Sequence, residues 1–162
     1  MLVQSGILRY LSKYISAPEP DHDIIPTYGA DITRNMEGTL RIGNQNVNGM
    51  KLGYEKAGCD EIDTMDTFSL DLYGITETNL VWNTDTKSKL DLLMNMQLGP
   101  SLDITSSSTT NDNGYQPGGT AMLLRGKLAS RKLKAYSDPL GHYTYVVLQG
   151  KNDTGVVIVN AY

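Results

Sequence analysis

From Leu102 to Ala161 the chain is a succession of strand-like segments, and that run limits the possible fold more than any other feature. Leu102–Ser106, Thr120–Arg125, Leu128–Ser137, Tyr143–Gln149 and Gly155–Ala161 all read as strands. The later links are short and turn-like: Gly126, Asp138-Pro139-Leu140-Gly141 and Lys151-Asn152-Asp153. Links of that length cannot hold a crossover helix, so they predict antiparallel hairpins. Val156 to Val159 is apolar without alternation, which predicts a strand covered on both faces.

The earlier chain differs. Leu40-Arg41-Ile42-Gly43 reads as a half-buried strand. Tyr54, Ile62, Met65 and Phe68 fall at helical spacing, predicting a helix over Tyr54–Phe68. Asp71–Thr76 reads as a second strand. Thr84–Leu98 reads as a second helix with Leu90, Leu93, Met94 and Leu98 on its apolar side, capped by Asn83 or Thr84. Two helices early and five strands late predict sheet-on-sheet packing with helices outside. Ser106–Asn113 reads as a strand end running into a polar loop.

Residues 1–38 stand apart from residues 39–162. Ala17-Pro18-Glu19-Pro20, Pro26 and Gly29 mark a breaker-rich connector. Before it, Ile7, Leu8, Leu11, Tyr14 and Ile15 share one helical face, with Arg9 and Lys13 and no acid. That pattern suits either a short helix packing on a neighbour or a transit peptide. Asp21-His22-Asp23 falls in the connector and reads as a solvated loop rather than a metal site. Cys59 is the only cysteine, which excludes an internal disulfide and points to an intracellular protein. No apolar run reaches the roughly 18 residues of a membrane span. The net charge of −4 argues against nonspecific nucleic-acid binding by the whole chain, but leaves room for a local basic patch.

Several short segments together resemble the endonuclease/exonuclease/phosphatase family. Asn46-Val47-Asn48-Gly49 follows the first strand, as the family's W-N-V-N-G does. Ile75-Thr76-Glu77-Thr78 follows the second, like L-Q-E-T. Gly118-Gly119-Thr120-Ala121-Met122-Leu123 is similar to the G-G-x-A-(I/L)-L strand, and Val159-Asn160-Ala161-Tyr162 to V-x-x-A-Y. Gly141-His142-Tyr143 sits where many members have Gly-Arg and an aromatic residue. Each piece is weak alone, and their shared order carries the resemblance.

The resemblance implies an α/β two-sheet sandwich flanked by helices, present as its first half. It implies a magnesium-dependent (or manganese-dependent) phosphodiester hydrolase, endonuclease-like, with nucleic acid as partner. Glu77 matches the metal-binding glutamate, and Asn46 the asparagine beside metal and phosphate. Asn48 matches a supporting position, and Tyr162 the tyrosine whose hydroxyl approaches the phosphate. Magnesium keeps several waters, so one or two carboxylates suffice. Plainer readings stand beside these roles. Asn46, Asn48 and Gly49 also suit a turn. Glu77 also suits an exposed strand end, and Tyr162 a terminal core position.

Departures temper the resemblance. Gln45 replaces the usual Trp, and His142 the usual Arg, so no bidentate fork is available there. The Gly-Asp-x-Asn and terminal Asp-His segments have no counterpart. The chain as given is therefore expected to hydrolyse phosphodiesters below an enzymatic rate, for want of a placed proton acceptor. Two other functions fit the same residues: a non-catalytic remnant or binding module, and a phosphatase or sphingomyelinase-type hydrolase. Arg125, Lys127, Arg131, Lys132 and Lys134 form the basic cluster, either a phosphate-tracking groove or a charged edge that blocks aggregation. An apolar sheet face near the last strand would invite self-association.

Overall fold

A computed structural model describes residues 38–53, 59–107, 116–152 and 154–162. The amino-terminal helix, the connector and its Asp21-His22-Asp23 lie outside the described residues, as does Tyr54. In chain order the elements are β1 (Ile42–Asn46), α1 (Asp60–Thr67), β2 (Leu72–Thr76), α2 (Thr84–Leu98), β3 (Ser101–Ser106) and β4 (Thr120–Arg125). Then come α3 (Gly126–Ala129), β5 (Lys132–Ser137), β6 (Tyr143–Gln149) and β7 (Gly155–Ala161).

The strands form two sheets. One is four-stranded in the order β1-β2-β4-β3, and the other three-stranded in the order β5-β6-β7. β1 and β2 run parallel, as the α1 crossover between them requires, and all other pairs are antiparallel. Alternation along β2 and β4 sends Tyr73, Ile75, Ala121 and Leu123 to one face, where Ile62, Met65, Leu90 and Met94 of the helices cover them. The opposite face sends Leu72, Met122 and Leu124 against Val146 and Leu148 of the second sheet. β2 and most of β4 are thus apolar on both sides and buried throughout. Helix α2 starts where Asn83 accepts a bond from the Thr86 amide, the expected cap.

Four local expectations change. Helix α1 begins at Asp60, after an extended Cys59, rather than at Tyr54. The first strand lies over Ile42–Asn46 rather than Leu40–Gly43. The segment from Leu128 is not one strand: Gly126 at φ +56 turns the chain into the short α3, which buries Leu128 before β5 begins. The last change concerns β7. Its outer face is bare, with Val157 60 % and Val159 59 % exposed, while Ile158 and Asn160 point between the sheets. The expectation of two covered faces fails here, while the expectation of an apolar sheet face near the last strand holds. Tyr145 pairs with Val159 on this side, and Tyr136 of β5 stacks on the rings of Tyr143 and Tyr145.

Such a face drives association. Replacing Val157 and Val159 with lysine should shift the chain toward monomer at a given concentration, read by sedimentation velocity, because the sheet edge then repels a second strand. Unchanged behaviour would show that this face is not adhesive.

Cys59 lies in the helix-side core, 1 % exposed, its thiol donating to Glu61 at 3.1 Å. Burial, then the Glu61 charge, pushes its pKa up to about 12, so it is an inert core residue. No helix among the described residues is long and apolar enough to cross a membrane.

Candidate functional site at one end of the sandwich

The registers fix a common end of the molecule. Asn46 pairs with Thr76, Thr76 with Thr120, and Thr120 with Ser106, so one polar row crosses the end of the four-stranded sheet. The carboxyl ends of β1, β2 and β3 meet there. β7 runs the same way, because Asn160 near its end donates to the carbonyls of Ile75 and Ala121, each at 2.9 Å. Thr144 pairs with Asn160 and belongs to the same end. The hydroxyls of Thr120 and Thr144 are buried there without a protein hydrogen-bond partner among the described residues.

Three loops close this end by backbone hydrogen bonds. Val47 N donates to Thr76 O, Gly49 N to Glu77 O and Met50 N to Thr78 O. Thr78 N donates to Gly119 O, and Asn79 N to Gly118 O. The Asn46–Met50 and Glu77–Asn79 segments therefore run side by side, with Gly118-Gly119 beyond them. Asn46 Oδ1 accepts from Asn48 N at 3.1 Å, an Asx turn that holds the amide at the rim. Asn48, Glu77 and Asn79 all have left-handed backbones, at φ 48, 55 and 53. A glutamate held at positive φ costs on the order of 1 kcal/mol. The Gly49 bond to its carbonyl helps hold it there.

Asn79 is a residue that sequence reasoning missed. Its side-chain oxygen accepts from Gly118 N at 2.9 Å, tying the glutamate loop to the glycine loop. The glycines matter for access. At Gly118, φ +82, a Cβ would lie 3.2 Å from the Tyr162 ring. At Gly119, φ +81, it would lie 2.8 Å from Thr78 Oγ1. Tyr162 thus packs beside Gly118, although 61 % exposed, and its amide donates to His142 O at 3.0 Å.

The structure therefore brings Asn46, Asn48, Glu77 and Tyr162 to one end, from both sheets. It does not bring the basic cluster there. β4 begins at the site with Thr120 and ends at the far side with Arg125, where α3 and the start of β5 carry Lys127, Arg131 and Lys132. Arg125 is moreover paired with Asp66 at 3.0 Å. Gln45 accepts from the Tyr73 hydroxyl beneath the first loop.

The donor set suits a hard cation. Glu77 is half-buried, and its carboxylate has no hydrogen bond or ion pair among the described residues. Asn46 offers a neutral oxygen next door. No group of three or more His, Cys, Asp and Glu gathers among the described residues. One carboxylate with amide oxygens is what magnesium, with its retained waters, accepts.

Comparison with known proteins agrees at the level of fold. The chain is similar to a solved AP endonuclease, LMAP from Leishmania major, with a TM-score of 0.50 and 18% sequence identity. The match covers 74% of this chain and 38% of that one. The fold is a mixed α/β fold with two sheets and helices, similar to part of that structure. No family model and no curated protein matches the chain.

Proposed function

We propose that this chain carries the metal-binding part of a magnesium- or manganese-dependent phosphodiester hydrolase acting on nucleic acid. The observation that supports it most is the meeting of Asn46, Glu77 and Tyr162 at one end of two packed sheets, with Glu77 unpaired and held at positive φ. The two-sheet α/β fold and the similarity to an AP endonuclease support the same reading.

In this reading Glu77 holds the cation through its carboxylate, with the Asn46 amide oxygen beside it. When bound, the cation neutralises charge that develops on the phosphoryl oxygens. Asn46, fixed by the Asn48 amide, orients the phosphate. The Tyr162 hydroxyl donates to a phosphate oxygen from the facing sheet. Asn79 and Gly118 keep the two sides in register.

Titration of the 162-residue chain with manganese, followed by calorimetry and by relaxation of water protons, tests the reading. Weak binding is expected, lost in Glu77→Gln. Equal affinity in the variant, or tight binding far from Glu77, would reject it. Plasmid, abasic-site duplex and a chromogenic phosphodiester offered with magnesium separate a nuclease from a general phosphodiesterase, with Glu77→Ala as control.

A further inference from the structure

The outer face of the second sheet changes across its width. On β7 it is mostly valine, while on β5 and β6 it carries tyrosine and lysine. Val146 and Leu148 point between the sheets, so Tyr145 and Val147 point outward. Register then puts Tyr136 beside Tyr145, and Lys134 beside Val147, on the same outer face. Tyr143, two residues before Tyr145, belongs to it as well. Tyr136 and Tyr143 are exposed, and Tyr145 is half-buried. The three rings share nearly one orientation. The Tyr136 ring lies 5.3 Å from that of Tyr145 at an interplanar angle of 19°, and 5.9 Å from that of Tyr143 at 25°. A flat ring laid parallel to them extends the same stack.

Charge is uneven as well. Residues 126–162 hold five lysines and arginines against two acids, although the whole chain has a net charge of −4. From Arg125 to Ser137 there is no acid at all. Arg131, Lys132 and Lys134 are exposed and have no ion pair among the described residues. β5 leads from these cations, at the end away from the candidate site, back toward that site, where Ser137 pairs with Thr144. Lys134 and Tyr136 thus stand two residues, about 7 Å, apart on one face. Lysines alone would serve to guard an edge strand. A guarded edge gives no reason for aligned, exposed rings beside them.

Unpaired cations along a strand, next to exposed aromatic rings, fit a ligand that is anionic along its length and carries flat rings. Single-stranded nucleic acid has both properties. A duplex keeps its bases stacked inside and offers this face only phosphate. We propose that the outer face of β5 and β6 binds single-stranded nucleic acid, with phosphates on Arg131, Lys132 and Lys134 and bases on Tyr136 and Tyr143. This surface lies outside the candidate metal site and needs no cation. Tyr143 follows His142, whose carbonyl accepts from the Tyr162 amide, so the rings mark where a bound strand reaches the site end. The proposal goes beyond the hydrolase reading and stands without it.

Fluorescence anisotropy of a labelled oligothymidylate of about 15 nucleotides, titrated with the full chain in EDTA, tests this. Binding is expected at low salt, tighter than to a duplex of the same length. Its log affinity should fall against log salt with a slope of about −2. Tyr143→Ser should weaken it about tenfold, and Tyr143→Phe should not, because the ring remains. Lys134→Gln should make the slope shallower by about 0.7. Urea midpoints check that each variant is folded, and Lys134→Gln keeps the proposal decidable if Tyr143→Ser is not. No binding at low salt, a duplex bound as tightly, or parent affinity in Tyr143→Ser overturns the proposal. If Tyr143→Ser makes an associated chain monomeric in sedimentation velocity and leaves oligonucleotide affinity unchanged, the rings face a second copy and the proposal falls. Failure of manganese to bind the parent chain removes the hydrolase reading and leaves this surface standing.

Discussion

Replacing Asn160 with leucine should cost about 3 kcal/mol of stability or more, measured by urea unfolding, and should weaken manganese binding at Glu77 among molecules still folded. Asn160 is 4 % exposed and sits on β7, yet its bonds are to the other sheet. Its amide donates to Ile75 O and Ala121 O, and its oxygen accepts from Asn44 Nδ2 at 2.8 Å. Leucine leaves two buried carbonyls without that partner, where desolvation costs roughly 1–3 kcal/mol per group, while the amide of exposed Asn44 can turn to water. Gly74 shows how closely the strap is fitted. A Cβ there would lie 2.7 Å from Asn44 Nδ2 and 2.8 Å from Asn160 Oδ1. Because Tyr162 follows two residues later, the strap also sets where the phenol meets Gly118. A loss below about 1 kcal/mol, with metal affinity intact, would show that apolar packing alone spaces the sheets.

That strap was invisible in the sequence for a physical reason. Within Val156–Ala161, one asparagine among valines reads as a flaw in an apolar run. Its meaning depends on which strand of another sheet stands opposite, which is non-local information. The same limit explains why Val157 and Val159 were expected to be buried. Composition reports apolarity, while coverage depends on what packs outside. Local signals did better. The α2 span, its Asn83 cap and the β4, β6 and β7 spans were legible because period, cap chemistry and turn residues are written in neighbouring positions. Short α3 was not legible, since one turn of helix has no period to read.

The candidate site was legible in part. Asn46 and Glu77 were named from short motifs after strands, and the parallel register of β1 and β2 makes their loops neighbours. Asn79 was missed because its role is a bond to Gly118, 39 residues on. The basic cluster was open to two readings, a groove or a charged edge, and strand direction carries it to the end away from the site.

Stability should fall as pH rises from about 4 to about 7, through a group on the helix side of β3. Asp103 pairs with Leu123 there, under α2. Burial first, then the hydrogen bond and charge of Asp91, raise its pKa from 3.8 to about 7, and Lys87 opposes this only in part. A raised pKa means the folded chain holds a proton that the unfolded chain has released. Its contribution is whole below the unfolded value, declines through the window and is gone above the folded value. A change of this size has a ceiling of about 4 kcal/mol. Asp91 is exposed, so solvent relaxes part of the repulsion and the expected loss is on the order of 2 kcal/mol. Asp103→Asn keeps the shape and removes the titration. Urea unfolding at pH 4.5, 6 and 8 should show the parent chain losing stability relative to the variant at each step, with the variant more stable at pH 8. Parallel pH dependence in the two proteins would mean that Asp103 ionises freely beneath α2, and that the Asp91 contact holds no shared proton.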